Sequence, residues 1–504
     1  MTKHEVESLE NSQANMMKPE VEALENRDAG YGLTEEHKHY LVERHGTVEL
    51  DPIPSMHDAD PLNWPKWKKI MNLSLVSFHA FVATFTASCI QSAFVEIAED
   101  LNQTVQSTSY LVSIQIAVLG GAPLFWRPLS QRYGRRPLFL MACICSLVCN
   151  VGCAVSQSYA TMALCRALVS FFICPAMAIG TAVVQETFFR KERARFMGIW
   201  TLMVTLGVPV APFICGFVAQ RVNYRWIYWI LAITNGVQFL LHIFFGPESR
   251  FDRAHVPQGM STFKLEYLSF RRIDHTPLKL IEFVHPLRLV AFPNVMIPAA
   301  AYSMIFLFGN IMLTFMIPQI FPEKFGFDTQ QVGLQYIGII VGTLIGEQFG
   351  GIMSDKWMWL RERKGKMPQP EYRLWLSYLG HLSTICGVVV FLVQSDNASD
   401  KWNVTPIIGA GIAAAGNQIV TTVLITYAVD CYPDDAAAVG VFISLVRQMW
   451  GFIGPFWIPN MAREIGLSES AGVAIALIVV VALIPTMVLQ WKGRYLQKCN
   501  DKTG

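Results

Sequence analysis

Apolar runs of about 20 residues, each closed by charged or turn-forming residues, dominate the chain from residue 70 onward. A helix that crosses a bilayer needs about 20 mostly apolar residues. Twelve windows meet that length: 70–94, 107–126, 138–156, 159–185, 196–218, 226–246, 295–317, 331–349, 374–394, 405–428, 437–458 and 470–490. The pattern predicts an all-α membrane protein with twelve transmembrane helices. The longest interior polar stretch, 247–292, separates six windows from six, and a loop of that length usually marks a boundary. The expected layout is a disordered, acidic cytoplasmic tail (1–66), a six-helix bundle (67–246), a cytoplasmic central loop (247–294), a second six-helix bundle (295–491) and a cytoplasmic tail (492–504).

Composition agrees with a bilayer as solvent. Of 504 residues, 52% are hydrophobic and 15% charged, against about 25% charge in soluble domains; mean hydropathy is +0.35. The net charge of +2 conceals a segregation, since residues 1–60 hold 5 basic and 14 acidic side chains. This distribution argues against a nucleic-acid partner, which would call for basic residues gathered on one soluble face. With the N-terminus inside, cytoplasmic segments from Lys66 onward hold 28 Lys plus Arg and the opposite loops 5. Basic residues flanking spans stay on the cytoplasmic side, so the reading is a multi-pass cell-membrane protein with both termini in the cytoplasm. The first 60 residues contain no apolar run, which excludes a signal or transit peptide there. Within them Glu5-Val-Glu-Ser-Leu-Glu-Asn11 recurs as Glu20-Val-Glu-Ala-Leu-Glu-Asn26, either a partner-docking repeat or a duplicated solvated tail.

The two halves look alike where their second span meets the third. Arg127-Pro-Leu-Ser-Gln-Arg132 follows the second window and Gly351-Ile-Met-Ser-Asp-Lys356 the eighth. Repeated six-span halves are the pattern of transporters that rock around a site near the bilayer midplane, so the bundles are expected to be pseudo-symmetric. The first copy continues through Gly134, Arg135 and Arg136 to Pro137. Four Arg can serve as topological anchors; alternatively, Gly134 permits an unusual backbone shape and the guanidinium groups reach helix ends and carboxylates.

This loop block resembles the loop motif of the major facilitator superfamily. Further segments resemble the fungal branch of the twelve-span drug:proton antiporters: Asp60-Pro-Leu-Asn-Trp-Pro65 before span 1, Glu192-Arg193-Ala-Arg195, Pro247-Glu248-Ser249, Pro370-Glu371-Tyr-Arg373-Leu-Trp375, and Tyr427-Ala-Val-Asp430-Cys-Tyr432-Pro433 with Arg447. The similarity extends over about residues 60–491. It implies two six-helix bundles around a central cavity and proton-coupled efflux of a small organic compound, by a monomeric chain that uses no cofactor and is not an enzyme. Arg127 and Gln131 depart from the family pattern, which has Gly and Asp at those places; Gly351 and Asp355 keep it. Gln131 can hydrogen-bond but supplies no ionic term to a gate. On span 5, Gly207, Pro209, Ala211, Pro212, Cys215 and Gly216 resemble the antiporter motif, with Ala211 and Cys215 in place of usual glycines; kinked packing of small residues is the plainer reading.

Ionisable groups inside a bilayer are costly and are functional candidates. Arg166 lies about 10 Å into span 4 and Arg447 about 15 Å into span 11 by helical rise. The resemblance assigns Arg166 to proton coupling, while for both residues the plain alternative is a structural Arg bonded to helix carbonyls. Glu186, Glu347, Asp355 and Asp430 fall near cytoplasmic span ends, where pairing with loop arginines as inside gates is expected; Glu96 falls at the opposite mouth as a rim residue or protonation site. Gln91, Gln115, Asn235, Gln238, Asn310, Asn417 and Gln418 are candidates to line a cavity or to bond between helices. His79, His242 and His381 are scattered over three spans and no spacing groups them as metal ligands, so no metal site is expected, and Cys149 and Cys153 read as packing. Asn102, Asn397 and Asn403 match the glycosylation acceptor pattern on the outer side. Uptake or uniport of an amine or other nutrient is the rival function, and a non-transporting nutrient receptor a more distant one.

Overall fold

The structure, a computed structural model, describes residues 33–253, 261–268, 272–274, 277, 279–363, 370–398, 401–432 and 435–500. It is all-helical, with no strand among the described residues. Twelve helices are long and apolar enough to cross a membrane. The first half contains spans 1 (Lys66–Asp100), 2 (Val105–Tyr133), 3 (Arg136–Val155), 4 (Tyr159–Thr187), 5 (Arg190–Arg221) and 6 (Arg225–Phe245). The second contains spans 7 (Pro293–Phe325), 8 (Thr329–Arg361), 9 (Pro370–Asn397), 10 (Thr405–Cys431), 11 (Ala436–Ile465) and 12 (Leu467–Gly493).

Local chemistry sets the ends. The Thr104 hydroxyl accepts the Ser107 N–H at the start of span 2 at 3.0 Å, and Ser158 accepts from Thr161 at 3.3 Å before span 4; such caps satisfy amides that have no helical partner. Span 2 stops at Gly134, whose φ of +90° is open to glycine and strained for other residues. Val148, Leu164, Ile233, Val237, Leu240 and Leu382 remain exposed on the outer surface. Water would oppose that exposure at about 25 cal/mol per Å², whereas lipid tails do not.

Three of the spans that border the space between the halves are interrupted. Span 1 passes through a tight turn at Gln91–Ala93, span 4 restarts at Pro175, and span 7 widens into a π-helical segment at Leu307–Met312. A π-helical segment such as that of span 7 re-aims side chains, and such segments recur at functional sites. The halves pack through span 2 against span 11 and span 5 against span 8. At the second crossing a Cβ on Gly216 would lie 3.2 Å from the Gly333 Cα, so bare backbone is required for this approach.

Two expectations are corrected. The tail expected to be disordered through residue 66 carries, from residue 33 on, a helix Glu35–His45 capped by Thr34 and Gly46, with Leu41 buried. Composition hid this because the helix is held by partners further along: Arg44 Nη2 donates to the Asn63 carbonyl at 3.0 Å, and His45 pairs with the Asn63 side chain at 2.9 Å. In the second half, Gly351-Ile-Met-Ser-Asp-Lys356 does not form a turn after span 8; it lies inside a helix that runs to Arg363. Its Gly351 has open space at the Cβ position, and the Asp355 side chain lies outside the described residues.

Candidate functional site

The interrupted spans and their neighbours border a cavity between the halves. Thr84, Ser88 and Gln91 of span 1, Tyr302, Phe306 and Asn310 of span 7, Asn417 and Gln418 of span 10, and Arg447 and Gln448 of span 11 contribute to its wall, with apolar surface from Ile116, Leu119, Met177, Val204, Val208 and Ile311. Four of the seven expected cavity amides are therefore at the wall. Gln115, Asn235 and Gln238 are not: Gln115 bonds Arg166, Asn235 donates to the Leu231 carbonyl of its own helix at 2.9 Å, and Gln238 points to the Leu75 carbonyl at 3.5 Å. Tyr302, Phe306 and Gln448 were missed by the sequence reading. The available signal was the aromatic pair at i, i+4 on span 7, a spacing that puts both rings on one helix face.

The two intramembrane arginines have different surroundings. Arg166 is fully buried and is not part of the cavity wall. Its Nε donates to the Leu111 carbonyl at 3.1 Å, Nη1 to the Tyr228 hydroxyl at 3.0 Å, and Nη2 to the Ala87 carbonyl at 3.3 Å and to the Gln115 side chain. Four spans of the first half thus meet on one guanidinium. Arg447 is half-buried and lines the cavity. It donates through Nη1 to the Tyr302 hydroxyl at 3.0 Å, lies 4.6 Å from the Phe306 ring centre, and keeps its Nε buried without a partner.

Glu347 does not pair with a loop arginine as expected; it accepts a hydrogen bond from Gln418 Nε2 at 2.9 Å. The window 331–349 had placed it at a helix end. Span 8 continues to Arg361, so Glu347 lies about 20 Å before that end by helical rise, one turn from Thr343 of the cavity wall.

One end of the molecule joins the halves directly. Thr329 donates to Glu96 at 2.6 Å, Gln106 to the Pro455 carbonyl at 2.6 Å, and Tyr110 stacks on Phe456 with ring centres 4.4 Å apart. Glu96 is accordingly a tie between halves rather than a solvated rim residue. Asn102, Asn397 and Asn403 are exposed, and Asn403 caps Thr405 through its side chain, accepting its N–H at 3.1 Å.

At the opposite end Arg127 of the first half feels the charge of Asp435 of the second. The loop arginines tie the first half to itself and to the central loop. Arg135 grips Glu186 through Nε at 3.3 Å and Nη2 at 2.7 Å, Arg132 donates to Glu282 at 2.7 Å, and Arg136 donates to the carbonyls of His242, Ile243 and Gly246 that end span 6. Glu248 accepts the N–H groups of Arg135 and Arg136 that open span 3 at 2.8 and 3.0 Å. A Cβ on Gly134 would strike the Glu248 carboxyl carbon at 2.8 Å. Burial pushes the Glu248 carboxyl above the ordinary carboxylate range, against the backbone N–H groups and Arg135 that favour its ionised form. Before span 1, Asp60 is held by Arg253 through Nε at 2.8 Å and Nη2 at 3.1 Å. Burial opposes ionisation of Asp60, but Arg253 and the Ser55 and Leu62 amides outweigh it and hold the carboxyl below its usual value. Arg127 and Gln131 edge a shallow groove with Glu282 and His285. In the second half Arg373 meets Asp430 at 3.4 Å.

The span-5 residues act as packing contacts. Gly207, Pro209, Ala211, Pro212, Cys215 and Gly216 are all buried; Gly207 abuts the Phe81 carbonyl of span 1 and Gly216 abuts span 8. The histidines are a correction to the scattered reading. His79, Cys143 and His242 converge from spans 1, 3 and 6, with their ligand-type atoms all within 4.8 Å of one another. His242 stacks on Phe139, ring centres 5.3 Å apart. His381 instead approaches the Ser377 carbonyl of its own helix at 2.6 Å.

Comparisons with known proteins agree with this geometry. The bacterial homologue of the human lysosomal transporter Spinster, solved in an inward-facing and unoccupied conformation, has a similar fold, with a TM-score of 0.60 at 15% identity, covering 84% of this chain and 97% of that one. The efflux pump radE of Floropilus chiversii is 27% identical over 451 residues, 86% of this chain and 82% of the relative. The MFS transporter cpaT of Aspergillus oryzae is 26% identical over 419 residues, 81% and 84% of the two chains. The description Major Facilitator Superfamily matches residues 76–455, and with twelve spans in two halves around a shared cavity, the chain belongs to that family of membrane transporters.

Proposed function

We propose that the protein exports a small amphipathic organic compound from the cytoplasm across the cell membrane in exchange for protons. The cavity carries this reading. Both halves build its wall, ties between halves close the end with Glu96 and Tyr110, and the other end bears the 28 Lys and Arg that basic-residue asymmetry assigns to the cytoplasm. A site tied shut at the end with Glu96 and Tyr110 belongs to one of the two states that alternating access requires. Outward transport is supported by relatives named efflux pumps. Proton exchange needs a group that changes its proton affinity between states, and Glu347, linked to the cavity wall through Gln418, is the candidate; Arg166 would organise the first half around it. Uniport is the second reading, favoured by a cavity wall that contains no carboxylate among the described residues.

The test has two steps. Comparison of cell and medium metabolites in a strain lacking the gene identifies the compound that is retained, and its flux is then measured in vesicles containing the purified chain. Concentration of the compound under an imposed pH gradient, abolished by a protonophore, is the expected result. Flux that only equilibrates the compound at every pH gradient would leave uniport. No flux would refute export.

A further inference from the structure

Resting on the export reading, we infer that the cavity takes an organic anion, a carboxylate or similarly delocalised acid group on an apolar or aromatic body, and that Arg447 holds the acid group. Arg447 is the one charged side chain in the cavity wall among the described residues. Its guanidinium carbon lies 4.6 Å from the Phe306 ring centre and 5.6 Å from that of Tyr302, a setting suited to Arg, whose flat cation can stack on rings while its edge remains available for hydrogen bonds. Nη1 is engaged by the Tyr302 hydroxyl at 3.0 Å. Nε is buried without a partner, and Nη2 makes no hydrogen bond among the described residues.

The protein shows what that edge can bind. Arg253 holds Asp60 through Nε and Nη2 at 2.8 and 3.1 Å, and Arg135 holds Glu186 through the same pair at 3.3 and 2.7 Å. Two parallel N–H donors match the two oxygens of a carboxylate and make the stronger, charge-assisted kind of hydrogen bond. At Arg447 the same edge belongs to a cavity residue. A half-buried cation with one neutral partner is poorly compensated, so an anionic cargo gains what a neutral one does not. An amine would instead bring like charges together, which discriminates against it. Glu347 forms no ion pair with Arg447 among the described residues; its described hydrogen bond is to Gln418.

The remainder of the wall suits an amphipathic body. Leu119, Met177, Val208 and Ile311 offer apolar surface. Asn310 and Asn417 carry buried side-chain oxygens without partners that can accept from cargo hydroxyl or amide groups. Neither feature selects charge, which leaves that role to Arg447.

The inference is tested with the full chain in lipid nanodiscs and three matched probes: 2-naphthylacetic acid, 2-naphthylacetamide and 2-(2-naphthyl)ethylamine. Calorimetry should show the acid binding about tenfold or more tighter than the amide, and the amine weakest. Arg447→Gln should erase the acid-to-amide ratio with an unchanged unfolding temperature, and Arg447→Lys should keep part of it, because charge remains while the fork is lost. An amide or amine that binds as tightly as the acid, or an acid preference that survives Arg447→Gln, would overturn the inference. Export and anion selection fail separately. If the compound retained by the deletion strain is neutral or cationic and is carried in vesicles, the anion site falls and export stands; Arg447-dependent acid binding without flux of any compound leaves the site and removes export.

Discussion

Each half of the molecule holds a serine, an arginine and an acid together at the end away from Tyr110, yet the described contacts differ in geometry. In the first, Arg135 donates to Ser130 and grips Glu186 with two nitrogens, while Ser249 adds a hydrogen bond to the same carboxylate at 3.0 Å. In the second, Arg373 donates to Ser354 at 2.7 Å and reaches Asp430 at 3.4 Å. The acids also differ in exposure, 17% for Glu186 against 37% for Asp430. The same contrast appears in the bilayer: Arg166 of the first half is satisfied on every nitrogen, whereas Arg447 of the second has an unpartnered Nε at the cavity. The first half is built as a frame, and the second presents its charged chemistry to the cavity.

The sharpest way to break that comparison is Arg166→Ala. Removing this guanidinium leaves the Gln115 and Tyr228 side chains and two carbonyls without their donor, in a fully buried place. Each lost partner costs of order 1 kcal/mol, so a loss of about 4 kcal/mol and of transport is expected, read by thermal unfolding and vesicle flux. Arg447→Gln should instead lose acid selectivity with little change in stability. If Arg166→Ala unfolds like the parent and Arg447→Gln does not, the frame and the working half have been assigned the wrong way round. Arg166→Lys refines the result: Lys keeps the charge without the planar fork, so failure to restore stability would show that geometry holds the frame together.

The next effect concerns coupling alone. Glu347→Gln preserves a polar partner for Gln418 and removes the ionisable group. Downhill flux should persist while concentration under a pH gradient is lost. Retained pH-driven concentration would move the coupling elsewhere, and equal loss of downhill flux would make Glu347 a structural residue.

The fold was legible because its signals are long and local. Twelve apolar windows, the break after residue 246 and the loop block around Gly134 all depend on contiguous residues. The site was less legible because it depends on depth and azimuth. Glu347 looked like a helix-end acid because the apolar window stopped at 349, although the helix continues through charged residues to Arg361; hydrophobicity marks the lipid-facing length rather than the helical length. Gln115 and Asn417 have the same amide chemistry at similar depth, and only helix rotation sends one to Arg166 and the other to the cavity. His79 and His242 are 163 residues apart and meet through packing of spans 1 and 6, which spacing along the chain cannot disclose.

The smallest effect tests the latches against each other. Glu186→Gln replaces a two-nitrogen grip at a mostly buried carboxylate with a neutral amide that can satisfy at most one donor in the same way, and it also weakens the Ser249 bond. A cost of about 1.5–3 kcal/mol is expected, since a hydrogen bond to a charged group contributes about that much. Asp430→Asn alters a longer contact at a more exposed acid, where ion pairs contribute about 1 kcal/mol or less. The two variants should therefore separate in thermal unfolding, with Asp430→Asn near the parent and flux reduced no more than about twofold. High salt distinguishes the causes, because screening acts on exposed pairs much more than on buried ones: it should erase the small Asp430→Asn deficit and leave most of the Glu186→Gln deficit. Equal costs for the two substitutions, or a salt-resistant Asp430 effect, would mean that the second latch is as firm as the first and that the halves do not divide their work at this end.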